Sequence, residues 1–208
     1  MARKAKAARG APHDPAQAIM AVALEQAART GWERLRLFDV AAALDLSLAD
    51  IYRYYRDADA IADAWLAKAD RAMLAPQDAG FAALAPAQRI ERVILRWLDT
   101  LAPHRAVTRQ ILIGKLYPGH PHFVAALLVR LSRTVQWVRE AALLRSGPPL
   151  RQVEEIALTW LFVATVAVWA FDTSDGQQAT RRFLARRLRD AERLQAWARR
   201  PQPRRSPA

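Results

Sequence analysis

The amino-acid sequence predicts an all-α chain: a small N-terminal three-helix unit joined to a larger C-terminal bundle, about nine helices in all. Three observations carry that expectation. Alanine, leucine and arginine dominate, and only 7 of the 208 residues are glycine, a balance that favours helix over sheet. Apolar residues return at three- and four-residue spacing, and no segment alternates with period two for long enough to make a strand. Proline and glycine cluster between these periodic segments, where helices have to stop.

Taken in order, the first helix is expected from Asp14 or Pro15 to Arg29, started by a cap and a proline and stopped at Thr30-Gly31. Its inward face is Ile19, Val22, Ala23, Gln26 and Ala27. A short second helix covers Leu37–Leu44, with Val40, Ala41 and Leu44 inward. The turn Asp45-Leu46-Ser47 leads to a third helix capped by Ser47, and a fourth begins near Asp57–Asp59 and runs to about Leu74. Pro76–Gly80 marks the expected domain boundary. Beyond it helices are expected near 87–102, 105–116, 121–146, 151–172 and 175–199. The organisation is then a basic arm over 1–13, a first helical unit over 14–75, a helical bundle over 80–200 and a disordered tail over 201–208.

Composition excludes several chemistries. The chain has no cysteine, so disulfides, thiolate zinc sites and cysteine nucleophiles are absent, which is compatible with a reducing cytoplasm. No apolar stretch follows the basic first residues, as a secretory signal requires. The most hydrophobic run, Ile156–Phe171, has 16 residues. That is short of the ~20 needed to span a bilayer and suits a buried helix or a dimer seam. The net charge of +12 resides at the ends: residues 11–180 hold equal numbers of basic and acidic groups. Basic ends attract a polyanion, either nucleic acid or an anionic membrane.

Two short helices joined by a tight turn and supported by a longer one form a helix-turn-helix. With Gly31, Asp39-Val40-Ala41, Leu46-Ser47, Ile51-Tyr52, Tyr55 and Ile61 at their spacing, residues 15–66 resemble the TetR family of bacterial one-component regulators. The resemblance implies a homodimer that binds a double-stranded DNA operator, and a DNA-contacting set of Arg36, Ser47, Leu48, Ala49, Asp50, Tyr52, Arg53, Tyr54 and Arg56. In that set Leu48, Ala49 and Arg53 lie toward base edges, while the Tyr52 and Tyr54 hydroxyls donate to phosphates and fix position without reading sequence. Arg3, Lys4, Lys6 and Arg9 would form a mobile arm, or simply a solvated start of the chain.

Three positions depart from the family pattern. Asp45 stands at the turn glycine, Asp50 at a neutral DNA-facing residue, and Ala58 at a phosphate-contacting lysine. Residues 36–63 hold three arginines against six aspartates, a poor footprint for DNA. Asp39, Asp57 and Asp59 suit helix first turns or the surface, whereas Asp50 has no such explanation.

Trp169–Leu188 resembles the end of the coenzyme Q biosynthesis accessory family through Trp169, Asp172, Ser174, Thr180, Phe183-Leu184 and Arg186-Arg187-Leu188. That family implies a TetR-like fold with a lipid cavity and a membrane-meeting last helix. The alternative function is therefore a lipid-binding accessory protein of ubiquinone biosynthesis that does not bind DNA, with a membrane surface as partner. The last helix carries apolar residues on one side and arginines on the rest, which fits an interfacial helix or ordinary bundle packing.

The regulator resemblance further implies a small hydrophobic effector inside the bundle and dimerisation through the last two long helices. Candidate pocket residues are Trp97, Leu101, Ile113, Tyr117, Phe123, Leu127, Trp137 and Trp160; each also suits plain core. Candidate seam residues are Leu161, Thr165, Val168, Trp169, Phe183, Leu184 and Leu188. His120 and His122 lie close together, but no HExxH or carboxylate completes a metal set. With no nucleophile motif and no phosphate-binding glycine loop, no cofactor and no enzyme activity are expected. The expected function is a cytoplasmic, ligand-responsive repressor.

Overall fold

Asp14 lies in extended backbone, and its carboxylate accepts the N–H groups of Ala16 and Gln17 at 3.0 and 3.3 Å. Pro15 fills the first helical position, where its missing donor costs nothing. The helix that follows, α1 (Pro15–Thr30), buries Ile19, Met20, Ala23, Leu24 and Ala27 along one face. Gly31, at φ 94°, ends it in backbone that other residues adopt only with strain.

The computed structural model describes residues 14–115 and 121–198, the side chains of 121–128 and 195–198 excepted. Among the described residues it contains nine α-helices and no strand. After α1 come α2 (Leu37–Leu44), α3 (Leu48–Tyr54), α4 (Ala58–Leu74), α5 (Pro86–Leu101), α6 (Arg105–Lys115), α7 (Pro121–Ala141), α8 (Leu150–Ala170) and α9 (Gln178–Ala198). Two boundaries differ from expectation by more than a residue or two. α7 stops at Ala141, because Leu143 takes a left-handed conformation (φ 55°) and Leu144 N–H reaches back to the Arg139 carbonyl at 3.1 Å. α9 starts at Gln178, because Gly176 and Gln177 both have positive φ and interrupt the helix before it.

The chain forms two compact units, Met1–Lys68 with His104–Gly114, and Ala69–Pro103 with Lys115–Ala208. The division falls inside α4 and again at the start of α6, not in the Pro76–Gly80 segment. The reason is side-chain chemistry on α6. Gln110 accepts the backbone N–H of Trp32 at 2.7 Å, and the Thr108 hydroxyl accepts the Trp65 indole N–H at 2.9 Å. Trp65 also meets the His104 ring edge-on at 5.6 Å. These contacts commit α6 to the first unit, which pattern reading along the chain had no means of detecting.

In the second unit α5 buries Ile90, Val93, Ile94, Trp97, Leu98 and Leu101, and Trp97 packs edge-on against Phe162 of α8 at 5.1 Å. The Trp97 indole donates to Asp70 at 2.8 Å, and Arg130 of α7 donates to the same carboxylate at 2.9 Å. Arg139, 3 % exposed, binds Glu154 and Glu155, each at 3.3 Å, and so fixes the α7–α8 joint. The α8–α9 corner turns around Asp172. Its buried carboxylate accepts Ser174 N–H at 2.9 Å, Ser174 hydroxyl at 2.5 Å, Thr180 N–H at 2.8 Å and Thr180 hydroxyl at 2.6 Å. Burial pushes the Asp172 carboxyl up, but these donors outweigh it and hold it far below the usual carboxylate range.

Candidate nucleic-acid interface

The turn between α2 and α3 is built by Asp45. At φ 58°, ψ 38° it holds the left-handed position, and Leu46 N–H returns to the Ala41 carbonyl at 2.9 Å. Aspartate tolerates this conformation better than most side chains, so a turn without glycine still closes. Ser47 then caps α3. Its hydroxyl accepts Asp50 N–H at 3.1 Å, while the Asp50 carboxylate accepts the Ser47 N–H at 3.0 Å and its hydroxyl at 2.7 Å. This reciprocal capping box gives Asp50 a structural role, one that the Ser-x-x-Asp spacing of residues 47–50 signals and that a count of charges passes over. The Ser47 hydroxyl and then its N–H lower the Asp50 pKa, and nearby Arg53, 3.3 Å away, adds to the effect.

Two side chains of α3 point into the unit and fix its pose. Ile51 is buried, and the buried Tyr55 that follows the helix donates its hydroxyl to the Ala16 carbonyl at 3.0 Å. A phenylalanine there could not make that bond. The outward side presents Ser47, Leu48 (55 % exposed), Ala49, Tyr52 (70 % exposed), Arg53 and Tyr54, with Asp50 half-buried at its edge. Arg36 is exposed just before α2, and Arg56 is exposed beside Asp57 at 3.3 Å. Every residue of the expected DNA-contacting set is therefore exposed except Asp50, which is half-buried and turned back onto its own helix. Asp57 accepts Ala60 N–H at 2.7 Å and opens α4. The acids at 39, 45, 50, 57 and 59 all sit at helix ends, so their number reflects capping of several short helices. The expected basic arm over 1–13 lies outside the described residues.

The second unit holds a cleft of about 950 Å³ between the start of α5, the end of α7, α8 and α9. Ile90, Leu144, Leu158, Trp160, Leu161, Phe183 and Leu188 line it, together with Arg89, Arg145, Arg187, Glu154 and Glu192. Of the five candidate pocket residues whose side chains are described, Trp160 alone lines this cleft. Trp97 and Leu101 are core, and Trp137 is exposed. Ile113 is exposed and belongs to the first unit. Tyr117 and the side chains of Phe123 and Leu127 lie outside the described residues, as does His120. Ile90 and Leu158 were visible only as members of apolar helix faces, a signal shared with every core position.

Thr165, Trp169, Leu184 and Leu188, expected at a subunit seam, are buried within the chain, while Leu161, Val168 and Phe183 are half-buried. The opposite face of α8 is the uncovered one. Val153, Ile156, Trp160 (72 % exposed), Val163, Ala167 and Phe171 follow one another at helical spacing there. α8 is also longer than the apolar run within it. Its 21 residues are long and apolar enough to cross a membrane by length and composition alone, and 28 % of its most apolar stretch is buried. An all-round apolar helix half covered by its own chain needs a further cover. Among the described residues no group of His, Asp and Glu is arranged to hold a metal ion.

Residues 155–195, the span of α8 and α9, match the COQ9 family model. A search of curated proteins found no match. Among solved structures, the TetR transcriptional regulator from Nitrosomonas europaea ATCC 19718 is 43 % identical, with a TM-score of 0.77. The alignment covers 88 % of this chain and 99 % of that one. A bacterial regulatory protein of the tetR family from Rhodococcus RHA1 superposes with a TM-score of 0.52 at 19 % identity, covering 84 % of this chain and 95 % of that one. A TetR-like transcriptional regulator from Rhodococcus sp. RHA1 gives 0.53 at 20 %, covering 88 % and 96 %; these two attest the fold alone. A helix-turn-helix posed by Ile51 and Tyr55, carried on an all-α frame shared at such identity with a regulator of that kind, places the chain in the TetR family of transcriptional regulators.

Proposed function

We propose that the chain is a DNA-binding repressor that acts as a homodimer in the cytoplasm and leaves its operator when a hydrophobic ligand binds the second unit. The observation that carries this reading is the outward face of α3. Leu48, Ala49, Tyr52, Arg53 and Tyr54 stand in solvent on a helix whose other side is anchored by Ile51 and Tyr55. Exposed aromatic and aliphatic side chains on a seven-residue helix contribute nothing to its packing, whereas base edges and phosphates give them partners. The relative's description as a transcriptional regulator supports the same reading.

The uncovered face of α8 supports the dimer. A symmetric pairing through Val153, Ile156, Trp160, Val163 and Ala167 would bury an apolar face that one chain leaves in water. Two reading helices about 34 Å apart then meet successive major grooves. The cleft lined by Trp160, Leu161 and Phe183 supports an apolar effector. Its action would be a population shift: a ligand that favours one spacing of the reading helices over another changes operator affinity by that preference.

Selection from random duplexes followed by binding at increasing salt tests the reading. The expected result is a palindromic site bound in a salt-dependent way by two chains, and recovery of no site would contradict it. The COQ9 match over α8 and α9 supports a second reading, a lipid-binding protein that retains the fold without DNA. That reading predicts co-purified isoprenoid or phospholipid in native mass spectra together with absence of any selected site.

A further inference from the structure

On α9, Thr180, Leu184 and Leu188 are buried, four residues apart, and define its inner face. Arg182, Arg186, Arg189 and Arg193 are all exposed and follow at steps of four, three and four. At 100° per residue these four fall within a sector of about 60° directly opposite the inner face. They form a single line of guanidinium groups roughly 16 Å long. Among the described residues, Arg182, Arg186 and Arg189 have no carboxylate within ion-pair distance, and Arg193 meets Asp190 only at 3.9 Å. The neighbouring arginines are used differently: Arg181 binds Asp99 at 2.7 Å, and Arg187 lies over the Phe183 ring at 5.2 Å.

Like charges at i, i+3 and i, i+4 repel, so the fold itself is opposed by this line. A surface helix that needs only solubility intersperses acids, and here Asp190 and Glu192 fall outside the line. We propose that this stripe is a second DNA-binding surface, one that holds the phosphodiester backbone of duplex DNA without reading its sequence. The inference rests on the DNA-binding reading of α3. Spread over ~16 Å, the four guanidinium groups can neutralise up to about four backbone phosphates. An anionic bilayer fits the stripe less well. An interfacial helix inserts its apolar face, and the apolar face of α9 is already buried by Leu184 and Leu188.

The test is the full chain with Arg182→Gln, Arg186→Gln, Arg189→Gln and Arg193→Gln together, titrated against the selected site and a scrambled duplex between about 50 and 200 mM salt. The slope of log K against log salt is expected to shrink by about 3, equally for both duplexes, with the ratio between them unchanged. Replacement of the four by lysine restores the slope, since backbone attraction needs charge and not the guanidinium fork. The melting temperature of the glutamine variant is unchanged or raised, because the substitutions remove repulsion. A slope equal to that of the wild type, with specific binding intact, overturns the stripe and leaves the α3 reading standing. Loss of binding to phosphatidylserine vesicles, with the DNA slope unchanged, assigns the stripe to a membrane and likewise overturns it. Absence of any DNA binding by the wild-type chain overturns both.

Discussion

Asp50 and Asp172 do related work in the two units, and their surroundings differ in one decisive way. Each aspartate gathers donors from a neighbouring serine at the start of a helix, Ser47 for Asp50 and Ser174 for Asp172. Asp172 is buried, adds both donors of Thr180 and has no basic partner among the described residues, so its role is to hold the α8–α9 corner. Asp50 is half-exposed and lies 3.3 Å from Arg53, the side chain to which the proposed function gives a base contact. The comparison teaches that the carboxylate on α3 is a structural cap that also pairs with an exposed arginine. Under the proposed function, what looked like an electrostatic defect is a trade between helix stability and readout.

The largest effect that would sharpen this contrast is at the buried corner. Asp172→Ala is expected to destabilise the second unit by about 3 kcal/mol, the upper range for hydrogen bonds to a charged group. Chemical denaturation monitored by tryptophan fluorescence reads it, and a change under 1 kcal/mol would remove Asp172 from the account. Arg53→Ala comes next: at the selected site it should cost roughly 2 kcal/mol of discrimination while binding to scrambled DNA falls far less. Asp50→Thr should move two readouts in opposite directions. The first unit loses stability with its capping box, and DNA affinity rises as Arg53 is released and a charge near the phosphates is removed. Loss of affinity in that variant would show that Asp50 positions Arg53 for binding.

Acid provides a smaller and broader perturbation. Both aspartates have pKa values held below those of the unfolded chain. Their contribution to stability is therefore fully present above the unfolded carboxylate range, near pH 4, and is lost as pH falls below it toward the folded values. Asp172→Asn should flatten the acid limb of a pH–stability curve more than Asp50→Asn does. The smallest expected change is Asp45→Gly, which removes a left-handed non-glycine residue and should alter stability by less than about 1 kcal/mol.

Much of this frame was legible in the residues, for physical reasons that also set the limits. Asp14-Pro15, Gly31 and Ser47 are local signals, and each stands at a helix end as its chemistry requires. The helix expected near 87–102 is likewise present as α5, with Ile90, Val93, Ile94, Trp97 and Leu98 on its buried face. What periodicity cannot rank is two apolar faces of the same helix. α8 is apolar all round, so Thr165 and Trp169 on the inside were indistinguishable from Val153 and Trp160 on the outside until its neighbours were placed. Long-range partners were hidden for the same reason. Nothing near Gln110 or Thr108 says that they meet Trp32 and Trp65. Asp50 was misread because a composition count treats its charge as free and passes over the Ser-x-x-Asp spacing of a capping box, which was legible in residues 47–50.

The central claim is that the outward face of α3 reads DNA, and competition binding of the wild type and Arg53→Ala at one salt concentration addresses it directly. Each protein is titrated with the selected site and with its scrambled counterpart. The account predicts that the wild type prefers the selected site and that Arg53→Ala loses most of this preference while keeping its attraction to scrambled DNA. Equal preference in the two proteins, or no preference in the wild type, would contradict it.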